Sequence, residues 1–91
     1  MAVDEQQVFT DWEARGFSGG TMVDPPGKTW LGYVHAVDEL IMLVEGELEL
    51  EMLGEHKMLE VGKEVLIRRH VLHSIRNKGE GEARWLYAYG K

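Results

Sequence analysis

Glu47-Leu48-Glu49-Leu50-Glu51-Met52 alternates acidic and apolar residues without a break. A period of two marks a strand with one face in water, so the acids point outward and Leu48, Leu50 and Met52 point into a core. Gly46 and Gly54-Glu55 bracket the stretch as turns. The same rhythm of short runs and glycine-rich breaks extends along the chain. Thr21-Met22-Val23 stops at Asp24-Pro25-Pro26-Gly27, and Trp30 to Val37 is rich in aromatic and β-branched residues. Leu40 to Val44 is wholly apolar, as in a strand buried on both faces. Lys57 to Val61, Val65 to Ile67, Val71 to Arg76 and Ala83 to Tyr89 complete the set. Short strands separated by turns about every 8–12 residues define an all-β sandwich or barrel. One helical signature interrupts the pattern. Thr10 to Glu13 fits a capping box and Gly16 a C-cap, which predicts a single helical turn over residues 10–15.

Ninety-one residues suffice for one domain, and a core this small gains from oligomerisation. Trp85, Tyr87 and Tyr89 alternate with Leu86 and Ala88, so the last strand has apolar residues on both faces. A second subunit over one of them, in a homodimer, is the expectation. Sixteen acidic residues against ten basic ones, with no basic cluster beyond Arg68-Arg69, argue against a nucleic-acid partner. There is no cysteine, which excludes disulfides and thiolate ligands. Met1 to Glu5 has neither a basic nor an apolar leader character, and no apolar run approaches the ~20 residues of a membrane span. The expectation is a cytoplasmic protein with no membrane partner.

The chemistry concentrates on histidines. His35, His70 and His73 lie in or beside predicted strand ends, and Glu39 follows the first of them. Two imidazoles and a carboxylate converging on a pocket form an open ligand set for Fe(II), Mn(II), Ni(II) or Zn(II). Spacing alone is a weak signal, because a lone strand histidine is more often a hydrogen-bonded structural residue.

The order of these residues resembles the two motifs of the cupin superfamily. The first runs Gly, five residues, His-x-His, three or four residues, Glu, six residues, Gly. Here Gly27, His35, Glu39 and Gly46 fall in register, and Tyr33 replaces the first histidine. The second runs Gly, five residues, Pro-x-Gly, two residues, His, three residues, Asn. Gly62, His73 and Asn77 match, while Arg68 and His70 replace the proline and the glycine. The resemblance covers about residues 20–89 and implies a single-domain antiparallel jelly-roll β-barrel preceded by a short N-terminal segment, residues 1–19. It also implies that His35, Glu39 and His73 hold a divalent transition metal.

Tyr33 shares a strand face with His35 by alternation and so should also face the pocket. It can fill space, donate its hydroxyl to a ligand or a metal-bound water, or bind the metal directly, which a phenol does readily only for a strongly acidic ion. Tyr33 and His70 are the candidate catalytic residues, as proton donor or positioning group. His70 falls on the opposite side from His73 by strict alternation, and an exposed loop histidine is its simpler reading. Arg68 and Arg69 read as a solvated turn, His56 as an exposed turn residue, and Met22, Met42, Met52 and Met58 as core. The resulting expectation is a small metalloprotein with a small polar organic ligand in the barrel, as in dioxygenases, isomerases or decarboxylases. The alternative is a metal-independent binding or sensing barrel. Fold does not choose between them.

Overall fold

In the computed structural model, which describes residues 2–91, the alternating segment forms β4 (Leu48–Met52) in the middle of a sheet. Its neighbours are β7 (His73–Asn77) on one side and β5 (Glu55–Met58) on the other, with β2 (Thr29–Tyr33) beyond β7. The second sheet has the order β1 (Phe17–Asp24), β8 (Ala83–Gly90), β3 (Glu39–Glu45), β6 (Glu64–Ile67). All strand pairs within the two sheets are antiparallel. The sheets pack face to face as a jelly-roll sandwich, and their inner faces supply the main core: Ile41, Leu43, Leu48, Leu50, Ile67, Ile75, Ala83 and Trp85.

Alternation on β4 is borne out: Leu48 and Leu50 are buried opposite Asn77 and Ile75. The outward acids are more than a solvated row, however. Glu49 and Glu51 both bond Arg76, at 3.2 and 2.8 Å, and His56 lies between them at 3.3 and 3.4 Å. His56 is exposed as expected, but on strand β5 rather than in a turn. The turn falls one residue earlier than predicted. Met52 pairs with Glu55, so Leu53-Gly54 forms a two-residue hairpin loop with φ of 54° and 76°. Two positive φ angles suit the right-handed strand twist, which moves β5 forward from the predicted 57–61. Gly46 ends β3 at φ 94°, where a Cβ would lie 2.6 Å from the Glu82 carbonyl oxygen. Only glycine serves there.

The N-terminal helix is longer than one turn. α1 spans Glu5–Ala14, and its N-cap is Asp4, whose side chain accepts from the Gln7 N–H. The Thr10–Glu13 box therefore lies inside the helix. Gly16, at φ 89°, follows its end as expected. α1 explains the doubly apolar strands. Trp12, Val8 and Phe9 cover Leu40, Met42, Leu86 and Ala88 on the outer face of the second sheet. The face predicted to lie under a second subunit is thus covered by the chain's own helix. Burial of Trp12 contributes on the order of 3 kcal/mol. Its indole N–H also donates to Glu64 at 2.8 Å, and Arg15 binds both oxygens of the same carboxylate. Arg15 holds the Glu64 carboxyl below its ordinary value.

Candidate metal centre

β2 ends sooner than its sequence suggests. Its register with β7 shifts between Trp30 and Tyr33, where Gly32 takes φ 70°. The chain leaves the sheet after Tyr33, so His35 sits on the loop leading to β3 rather than on a strand. Glu39 opens β3 and His73 opens β7, one from each sheet. The three side chains converge at one end of the sandwich. Glu39 Oε1 is 3.5 Å from His35 Nε2 and 3.4 Å from His73 Nε2. The ligand atoms of all three residues lie within 4.8 Å of one another.

The surroundings of the trio set its chemistry. Glu39 is 3% exposed, and its Oε1 is the one buried side-chain polar atom among the described residues without a hydrogen-bond partner. Such an atom costs roughly 1–3 kcal/mol unless something satisfies it. His73 is buried too, and its Nδ1 lies 2.9 Å from the Val71 carbonyl oxygen. That contact makes Nδ1 the donor and turns Nε2 toward Glu39, the orientation a metal-ligating imidazole needs. The Glu39 carboxylate beside it raises the His73 pKa, against the opposing effect of burial. The residues fit a divalent ion. Two ligand atoms about 2.1 Å from a tetrahedral ion stand about 3.4 Å apart, and Glu39 Oε1 stands 3.5 and 3.4 Å from the two imidazole nitrogens.

Tyr33 pairs in register with His73 and lines the same pocket, its ring 6.4 Å from that of His35. His70 does not join them. Its side chain is exposed and lies outside the pocket lining. Its backbone has φ 66°, which accounts for glycine in the family pattern, and histidine is among the residues that tolerate this region. The His70 N–H donates to the His35 carbonyl at 2.8 Å and so ties down the His35 loop. Arg69 is also a turn residue, its N–H donating to Asp38 at 2.8 Å. Asn77 is structural. Its amide donates to the carbonyls of Asp24, Pro25 and Gly81, while its Oδ1 accepts from Gly79.

The sequence reading missed Asp24. This carboxylate is 3% exposed, and its Oδ2 accepts from the indole N–H of both Trp30 and Trp85, at 2.9 Å each. Its turn-forming neighbours, Pro25-Pro26-Gly27, disguised it as a loop residue. Only tertiary contact brings Trp85 to it from 61 positions away. Together with Met22, Tyr33, Tyr87 and Tyr89, the two tryptophans wall a pocket of about 290 Å³ that opens onto His35, Glu39 and His73.

The cupin domain family matches residues 20–89, and the chain belongs to that family. Solved structures share the fold at low identity. An oxalate oxidase superposes with a TM-score of 0.75 at 24% identity, over 85% of this chain and 43% of that one. The TT1209 protein of Thermus thermophilus gives 0.72 at 17% identity, covering 99% of this chain and 97% of that one. The cupin domain of Schizosaccharomyces pombe Cnp3 gives 0.76 at 17%, covering 84% and 56%. This chain thus spans less than half the length of the oxalate oxidase it resembles. A comparison with curated proteins found no match.

Proposed function

We propose that this chain is a small cupin metalloprotein, with one divalent transition metal on His35, Glu39 and His73 and a small polar organic ligand in the adjoining pocket. The observation that carries this reading is the buried Glu39 Oε1, which lacks a hydrogen bond and faces two imidazole nitrogens at ligand spacing. Fe, Mn, Ni and Zn all suit this nitrogen and oxygen donor set. When bound, such an ion polarises a ligand oxygen or activates dioxygen. The chain's own part is to orient the three donors, with Val71 and His70 as the backbone supports, and to hold the ligand against the aromatic wall. Tyr33 brings a phenol hydroxyl to the pocket as proton donor or positioning group. The fold is shared with an oxalate oxidase, 43% of whose chain is covered, so a barrel of this shape accommodates chemistry on a small oxygenated molecule.

Metal analysis of untagged protein, followed by titration of the stripped protein with Zn(II) or Mn(II), tests the reading. About one equivalent should bind. His73→Ala should abolish uptake, and His56→Ala should leave it intact. Less than about a tenth of an equivalent with no uptake on titration, or equal loss from both variants, would refute it and favour the metal-independent binding barrel.

A further inference from the structure

The pocket wall is a nearly continuous belt of rings. Trp30 and Tyr33 lie 6.0 Å apart between centroids, Tyr33 and His35 6.4 Å, and His35 and Tyr89 5.0 Å. Tyr89 and Tyr87 follow at 5.8 Å, and Tyr87 and Trp85 at 6.2 Å. The belt closes through Asp24, whose single oxygen takes the N–H of both tryptophans that end the series. Register explains how six residues from three segments meet. Trp85, Tyr87 and Tyr89 occupy the inner face of β8, and Tyr87 faces Gly20, where a Cβ would stand 3.1 Å from the Tyr87 hydroxyl oxygen. A larger residue at position 20 would crowd the ring.

Charge and size narrow what this belt accepts. None of the nine lining residues is Lys, Arg, Asn or Gln, so no permanently charged side chain of the wall pairs with the second carboxylate of a diacid. Glu39 is the only acid among these nine residues and belongs to the proposed metal set, so with the ion bound it has no free charge for a cationic ligand. An apolar cavity of about 150 Å³ already takes a benzene ring, and this pocket has about 290 Å³. We infer that the pocket binds an uncharged, single-ring aromatic molecule bearing an oxygen donor, its ring against the belt and its oxygen toward His35, Glu39 and His73. This inference rests on the same pocket as the metalloprotein reading and sharpens its ligand class. The aromatic wall excludes by desolvation what it cannot pair, so small dicarboxylates are rejected.

The probe is 4-fluorophenol, followed by ¹⁹F NMR on the full chain, with oxalate and tetramethylammonium as competitors. Saturable binding of fluorophenol that neither competitor displaces is expected. Tyr33→Leu, on a half-exposed position outside the main core, should weaken it about 2- to 12-fold, the range for loss of one aromatic pair. Trp30→Leu should weaken it similarly, with circular dichroism verifying the fold. Tighter binding of oxalate or tetramethylammonium, no fluorophenol binding, or binding unchanged in both variants would overturn the inference. Metal uptake is measured on the same samples. Fluorophenol binding without uptake sinks only the metal reading, and uptake without fluorophenol binding sinks only this one.

Discussion

Asp24 and Glu39 are both carboxylates at 3% exposure inside the same sandwich, and they are treated in opposite ways. Asp24 Oδ2 accepts two indole N–H groups at 2.9 Å. Glu39 Oε1 has no hydrogen bond and faces two imidazole nitrogens at 3.5 and 3.4 Å. One carboxylate is satisfied by the fold and serves it. The other is left open by the fold and is completed from outside. Burial alone does not distinguish a structural acid from a ligand; the partners do.

Removing each in turn should separate the roles. Asp24→Ala strands two largely buried indole N–H groups and should cost about 3 kcal/mol of folding stability, read by chemical denaturation. Its metal uptake should persist under conditions where the variant is folded. Glu39→Gln should do the reverse. It removes an unbonded buried carboxylate, so stability should hold or rise, while metal affinity falls at least about 100-fold, or about 2.7 kcal/mol. Equal behaviour of the two variants would erase the distinction.

Protons sharpen the same contrast, because in metal-free protein His73 is held above its ordinary pKa of 6.5 chiefly by Glu39. A raised folded value contributes stability that is full below the unfolded value and is lost as pH rises through the folded one. In chelator, the stability of the wild type relative to Glu39→Gln should therefore fall between pH 6 and 9 in thermal melts, whichever of the two is the more stable at pH 6. Metal affinity should rise over the same interval as His73 gives up its proton.

The trio was legible because its motif spacing survives in the chain: His35, Glu39 and Gly46 follow Gly27 in register, and His73 follows Gly62. The strands were legible because alternation is a local signal, and eight of them fall where turns and periodicity put them, give or take a few residues. What was hidden depends on tertiary contact. Helix α1 is capped by Asp4, where Asp4-Glu5-Gln6-Gln7 ahead of Val8-Phe9 is a capping pattern as good as Thr10 to Glu13. The docking of Val8, Phe9 and Trp12 on the second sheet is what holds the longer helix in place. The same docking supplies the cover that the apolar face of β8 seemed to ask of a second subunit. Asp24 was hidden for the same reason, since its role is defined by Trp85 from the far end of the chain.

The smallest expected effect concerns a residue that supports the open carboxylate's neighbourhood through its backbone. His70 occupies φ 66° at the position where the family pattern has glycine. His70→Gly should add about 0.5–1 kcal/mol of stability, the left-handed strain less glycine's entropy. Metal affinity should not change, because the His70 N–H that holds His35 remains. Loss of metal binding would show instead that the His70 imidazole takes part.

Anomalous diffraction from crystals grown with Zn(II), collected on both sides of the zinc edge, tests the central claim most directly. The account predicts one strong peak about 2.0–2.2 Å from His35 Nε2, Glu39 Oε1 and His73 Nε2 together. No peak among these three residues, with zinc found only at His56 beside Glu49 and Glu51 or nowhere on the chain, would contradict it.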